Sequence, residues 1–348
     1  MYAPKICILV MFKKEVTNWL SETSPLKLIH RITLPGLSRG YETIYFTENK
    51  EVCLMVTGTA LINAALSVST LTTTASFDFT KTYFLLSGIA GVNPKLGTIG
   101  SVALAKYAVQ VDTQLEFDGR EIPAHWRTGY VPMGAESHSS FPRYLHGSEV
   151  YSLNGDLRDV CLEFAIGALL EDCERAREHR KLYGGSANGV YGRAALEPSV
   201  LRGDVASSNT FWHGKLLCEG MESVFETYTD GKAVYTMTAQ EDTAILTALL
   251  RSAIQKKTDF ERIILMRSGS NFDRGWREKD VASLPYAIDE GGLEPALRNL
   301  YLAGLEVIQG ILGDWERFEG GIKANGYVGD LFGSLGGEVD FLPEGTVV

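Results

Sequence analysis

The chain has 348 residues, 45% of them hydrophobic and 22% charged, which is globular composition sufficient for one large α/β domain or two small ones. Its formal net charge of -10 argues against a nucleic-acid binder, which needs a basic face. Five dispersed cysteines without a C-x-x-C pair and six histidines without H-x-x-x-H spacing give no metal site, and imply free thiols in a reducing compartment.

Residues Met1–Ile6 lack the charged region, long apolar run and cleavage site of a signal peptide, and no window holds 18 consecutive apolar residues. A cytoplasmic protein without a membrane span is expected. Ile6–Met11 is a continuous apolar run, as in a parallel strand covered on both faces. Helical spacing starts in Phe12–Leu20 and places Glu15 at a strand-to-helix junction. Glu42–Thr47 and Glu51–Thr57 read as strands, and Thr57–Ala65 as a strand end, a tight turn at Gly58 and a helix start whose amides suit an anion or a sugar hydroxyl.

Thr82–Gly91 reads as a buried strand ending in a glycine turn, and Ser101–Tyr107 as another strand. The glycine spacing is not G-x-G-x-x-G and no ribose-binding acid follows, which excludes a dinucleotide fold here. From about 113 to 150, prolines and small polar residues predict long loops. Residues 156–182 have the pattern of one amphipathic helix, 183–198 of a glycine-rich loop, and Ser199–Val205 of a strand. Phe211 and Trp212 lie among small polar residues after it, as a stacking platform for a flat base or as core packing.

Gln240-Glu241-Asp242 opens a helix whose dipole favours acids in its first turn. Arg262–Arg267 reads as a short central strand, and Ser268–Arg274 as the loop at its carboxyl end, where open α/β sheets place ligands. Residues 292–316 form a last helix, and the glycine-rich tail from 317 is expected to extend over the surface.

Five motifs now stand in order: Met11-Phe12 with Glu15, Gly58 with Asn63-Ala64-Ala65, Ser87–Pro94, Gln240–Asp242 and Arg267–Arg274. Together they resemble the nucleoside phosphorylase/nucleosidase superfamily, most closely the purine nucleoside permeases, over roughly residues 5–315. The resemblance implies an α/β fold, a single domain over 1–348 with a mixed, curved sheet flanked by helices on both faces. Loop insertions at about 113–150 and 183–198 and a C-terminal extension from about 317 complete that expectation.

By resemblance, Glu241, with Gln240 beside it, binds the ribose diol, to which a carboxylate offers two acceptors. Phe211 stacks on the base, and Asn271, after Ser270, bonds the purine near N7 and stabilises the leaving base. An Asn cannot protonate that base, and Asp273 is the nearest carboxyl that could. Glu15 matches the general base of nucleosidases. Leu86 and Ile89 stand where some phosphorylases carry a phosphate-binding arginine and serine, and Ala60 where a second glycine is usual. Candidate phosphate donors are the amides around Gly58-Thr59 and Gly88-Ile89, the hydroxyls of Thr59 and Ser87, and Arg267 or Arg274.

The resemblance thus implies N-glycosidic cleavage of purine nucleosides by a homo-oligomer of the purine salvage type. Phosphorolysis to free base and ribose 1-phosphate is expected, with phosphate as co-substrate and no cofactor, metal, nucleic acid or membrane. Hydrolysis with Glu15 as base is the alternative, and a non-catalytic nucleoside-binding or transport-associated protein the next.

Overall fold

The computed structural model describes residues 1–348 apart from 138–139, 186–188, 278–290, 345 and 347–348; parts of the loops and tail expected above therefore lie outside the described residues. The chain opens with β1 (Ile6–Val10), the single turn α1 (Lys13–Val16), β2 (His30–Thr33), β3 (Thr43–Phe46) and β4 (Val52–Val56). Helix α2 (Leu61–Thr73) leads to β5 (Tyr83–Val92), β6 (Val102–Ala105) and β7 (Tyr107–Gln110). Then come β8 (Gln114–Glu116), β9 (Tyr130–Pro132), β10 (Val150–Ser152), α3 (Gly155–Ala165) and α4 (Glu174–Gly184). The second half holds β11 (Val200–Arg202), β12 (Asp204–Ser207), α5 (Lys215–Thr229), β13 (Tyr235–Ala239) and α6 (Asp242–Ile254). It closes with β14 (Ile263–Phe272), α7 (Leu293–Gly313), α8 (Trp315–Glu319) and β15 (Gly329–Asp330).

Among the described residues all strands but β8 and β9 join one mixed sheet. β1 is parallel to β4 and β5, and β5 is parallel to β14. β13 meets the end of β5 antiparallel, and β6 runs antiparallel to β14. Both faces are covered, which is why β1 is apolar at every position. Cys7 and Leu9 pack with α2 and α6, while Ile6, Ile8 and Val10 pack with α3 and α7.

Several elements differ from the sequence expectation. The helix expected from Phe12 is one turn, whose Glu15 reaches back to the N–H groups of Met11 and Phe12 and caps its start. Trp19 then turns inward against Gly304, where a Cβ would sit 2.9 Å from its ring. The helix expected over 156–182 is two, α3 and α4, whose linker is tied to α7: Asn299 Oδ1 accepts from Glu171 N at 2.6 Å and its Nδ2 donates to Glu171 O at 2.8 Å. The run Ser101–Tyr107 splits into β6 and β7, with the buried Asp204 carboxylate accepting from the amides of Lys106 and Tyr107 where the ladder breaks.

The glycine turn expected at residues 88–91 is a continuation of β5 to Val92, and the loop expected from Ser268 is a continuation of β14 to Phe272 through a bulge at Gly269/Asn271. The 113–150 segment carries the small β8–β9 hairpin. The tail is not merely draped outside: Tyr327, Leu331 and Phe341 fill an apolar cluster with Tyr107 and α5, and β15 pairs with β10.

Candidate active site

β5 has an open stretch on one edge. Its last partner on β1 is Leu86, opposite Leu9, and its first on β13 is Gly91, opposite Thr238. Ile89 lies between them. A buried peptide group without a ladder partner must find another. The Ile89 N–H donates to Glu15 Oε1 at 2.7 Å, and its carbonyl accepts from Arg267 Nη1 at 3.1 Å. The other Glu15 oxygen, Oε2, accepts from Met11 N at 2.6 Å and Phe12 N at 3.3 Å.

Arg267 starts on β14, opposite Gly88, and its guanidinium crosses β5 at that glycine. There it meets the acids at the head of α6. Nε lies 3.1 and 3.2 Å from the two Asp242 oxygens, Nη2 also donates to Asp242 Oδ1, and Nη2 is 3.4 Å from Glu241 Oε2. Glu241 Oε1 accepts from Ala60 N at 3.0 Å. Ala60 precedes α2 at φ 70 and ψ 161, a backbone region that suits glycine. Beside it Leu61 N donates to Asn209 Oδ1 at 2.9 Å, and Gln240 Nε2 donates to Asn209 O at 3.0 Å.

These groups line a cavity of about 490 Å³, within the usual span for a small-molecule site. One wall carries Thr210, Phe211 and Trp212. Phe211 is 47% exposed, whereas Trp212 is anchored through Nε1 to Tyr235 Oη at 2.9 Å. At the end of β14, Ser270 Oγ lies 3.1 Å from both Asn271 Oδ1 and Ala90 O, and Asn271 Nδ2 donates to Phe272 O at 3.0 Å.

Burial pushes the Glu15 carboxyl up to about 7, against the opposing pull of Arg267 and the Met11 and Ile89 amides. Burial raises Glu241 as well, with Arg267 again opposing. For Arg267 burial works against the charge, but Asp242 and Glu241 outweigh it and hold the guanidinium protonated. The cavity therefore offers a carboxylate poised near neutrality next to a second one that is hydrogen-bonded and ion-paired.

Of the residues singled out in the sequence, the structure brings Glu15, Thr59, Phe211, Gln240, Glu241, Ser270 and Asn271 to this cavity. It does not bring Gly58, Ser87, Gly88 or Asp273 to its lining. Gly58, at φ +82, leaves room for Ser38, to whose Oγ a Cβ would come within 2.3 Å. Ser87 is wholly buried, and Gly88 is the passage for Arg267. Asp273 is held by Arg274, with Nε–Oδ1 at 2.8 Å and Nη2–Oδ2 at 2.9 Å, and its carbonyl receives Gly214 N at 3.0 Å. It thereby anchors the end of the aromatic loop. Arg274 also pairs with Glu222 at 2.9 Å. Lys14, Thr238 and Leu293 line the cavity without having been singled out. Lys14 adjoins Glu15 in sequence, which was the one available signal.

The family model described as "Purine nucleoside permease (NUP)" matches residues 3–323. A purine nucleoside permease of Candida albicans (strain SC5314) is 37% identical over 347 residues, covering 98% of this chain and 83% of that protein. A probable purine nucleoside permease of Schizosaccharomyces pombe is 34% identical over 324 residues, 90% of each chain. Among solved structures, a 5′-methylthioadenosine/S-adenosylhomocysteine nucleosidase from Neisseria meningitidis, in complex with methylthio-immucillin-A, superposes with a TM-score of 0.51 at 15% identity, covering 89% of this chain and 99% of that one. The corresponding Helicobacter pylori nucleosidase gives 0.53 at 16% identity, covering 89% and 100%. The expected fold, one large mixed sheet flanked by helices, is the fold of these nucleosidases.

Proposed function

The chain belongs to the purine nucleoside permease family, and from that premise we propose that it is an enzyme cleaving the N-glycosidic bond of purine nucleosides in this cavity. One observation carries the reading. Glu15 and Glu241, on separate elements, face the same cavity beside the same guanidinium, with Phe211 and Asn271 in the same lining. That set matches the needs of the reaction: a ring for the base, a donor for the negative charge it gains, acceptors for the sugar diol and a base for the nucleophile.

The geometry favours water as that nucleophile. A carboxyl pushed up to about 7 takes a proton readily at neutral pH. Water oxygen bonds to the anomeric carbon and its proton passes to Glu15, while the bond to the purine nitrogen breaks and its electron pair leaves with the base as an anion that accepts from the Asn271 amide. That anion takes a proton from solvent, and Glu15 returns its proton to solvent. Phosphorolysis, which the family resemblance implied, is the second reading, supported by Lys14 and Thr59 in the lining. The relatives' name describes transport; no helix among the described residues is long and apolar enough to cross a membrane. The test mixes the purified chain with inosine or guanosine, with and without phosphate, and identifies the sugar. Ribose released without phosphate supports hydrolysis, and ribose 1-phosphate that requires phosphate supports the second reading. Binding without base release would sink the enzymatic proposal.

A further inference from the structure

Two side-chain cations line the cavity among the described residues, Lys14 and Arg267. Arg267 is 1% exposed and every nitrogen is engaged by protein: Nε and Nη2 by Asp242, Nη2 also by Glu241, and Nη1 by the Ile89 carbonyl. Asp242 is 0% exposed and absent from the cavity lining, so it is no substrate ligand. A buried ion pair is also weak evidence of a stabilising role, because desolvation offsets the attraction. Asp242 has two local effects: it cancels the Arg267 charge and aims the guanidinium at Ile89 and Glu241.

We infer that Asp242 is a positioning residue that governs which nucleophile the cavity admits, by withholding Arg267 from inorganic anions. The inference rests on the cavity being the cleavage site, but its test does not. Asp242 and Glu241 take up the Nε and Nη2 donors of Arg267, so a phosphate carrying nearly two charges meets a guanidinium already balanced by carboxylates, where a neutral water needs none. Removing the charge at residue 242 reverses that balance and frees guanidinium donors suited to a phosphate.

The experiment is calorimetric titration of the full-length chain with inorganic phosphate, without nucleoside. Asp242→Asn is expected to tighten phosphate binding by about tenfold or more, a gain that loss of a merely structural contact would not produce. The double variant with Arg267→Gln is expected to lose that gain. Unchanged or weaker phosphate binding in a folded Asp242→Asn overturns the inference. Should that variant not fold, Arg267→Lys, which keeps the pair with Asp242, is expected to leave phosphate affinity within about twofold, because the parent withholds the residue. A larger loss would mean that Arg267 already binds the anion, which also overturns it. Base release is assayed separately. If the parent cleaves no purine nucleoside, the cleavage proposal falls while the titration still judges Asp242.

Discussion

A Cβ placed on Gly88 would stand 2.2 Å from Arg267 Nη1. The guanidinium reaches the acids of α6 only because the residue opposite it on β5 has no side chain. Gly88→Ala is therefore expected to expel Arg267 from its pair with Asp242, at a cost of about 1–3 kcal/mol in stability. Base release should fall with it. Denaturant melts of the purified variant, read beside kcat/KM, check both. A variant melting like the parent would mean that Arg267 reaches Asp242 by another route.

The Glu15 carboxyl gives a pH signature. Its pKa is about 7 in the folded chain against 4.5 without burial. Between those values the folded state holds a proton that the unfolded state has lost. Stability from this group is full below 4.5, falls as pH rises through about 7, and is level beyond, a swing of about 3 kcal/mol. Glu15→Gln should flatten that part of the stability profile. In the parent, kcat/KM should fall tenfold per pH unit below about 7, because the base must be ionised. An acid limb centred near 4.5 would contradict the burial argument.

Glu241 holds the Ala60 amide with one oxygen and faces Arg267 with the other. Accepting from a sugar diol uses its remaining lone pairs. Glu241→Ala is expected to leave a folded chain and to lose about 1.5–3 kcal/mol or more of transition-state stabilisation. Near-parental kcat/KM in a folded variant would remove Glu241 from the sugar site.

Ala60, at φ 70 and ψ 161, carries a Cβ where the backbone suits glycine. Relief of that strain should make Ala60→Gly more stable by about 1 kcal/mol, seen in a chain of this length as a Tm rise of about 1–2 °C. A fall in Tm would mean that the turn is not strained.

Local patterns made much of this molecule legible. The apolar runs at Ile6–Val10, Val52–Val56 and Tyr83–Leu86 announced buried strands, and Gln240–Asp242 announced a helix start. What stayed hidden depends on register. Nothing in the chain places Gly88 opposite Arg267, so the glycine looked like a backbone approach to ligand and the arginine like a phosphate donor. Likewise Asp273 looked available until Arg274, its neighbour in sequence, was seen to hold both carboxylate oxygens. The continuous helical pattern of 156–182 gave no sign of the break, because Asn299, which tethers the linker, lies more than a hundred residues away.

The base preference follows from Asn271. Its Oδ1 is occupied by Ser270 Oγ, and Nδ2 spends one hydrogen on Phe272 O. The remaining Nδ2 hydrogen makes the residue a donor towards the base. Where that hydrogen meets position 6 of the base, a 6-oxopurine presents the acceptor O6, whereas adenine presents the hydrogens of its exocyclic amine; N7 is an acceptor in both and does not discriminate. An unmatched buried donor pair is a strong discriminator. Inosine and guanosine are accordingly expected to exceed adenosine in kcat/KM by at least about tenfold. Asn271→Ala should lower inosine turnover while changing adenosine little, closing most of that gap. Equal turnover of inosine and adenosine by the parent would show that Asn271 does not select the base.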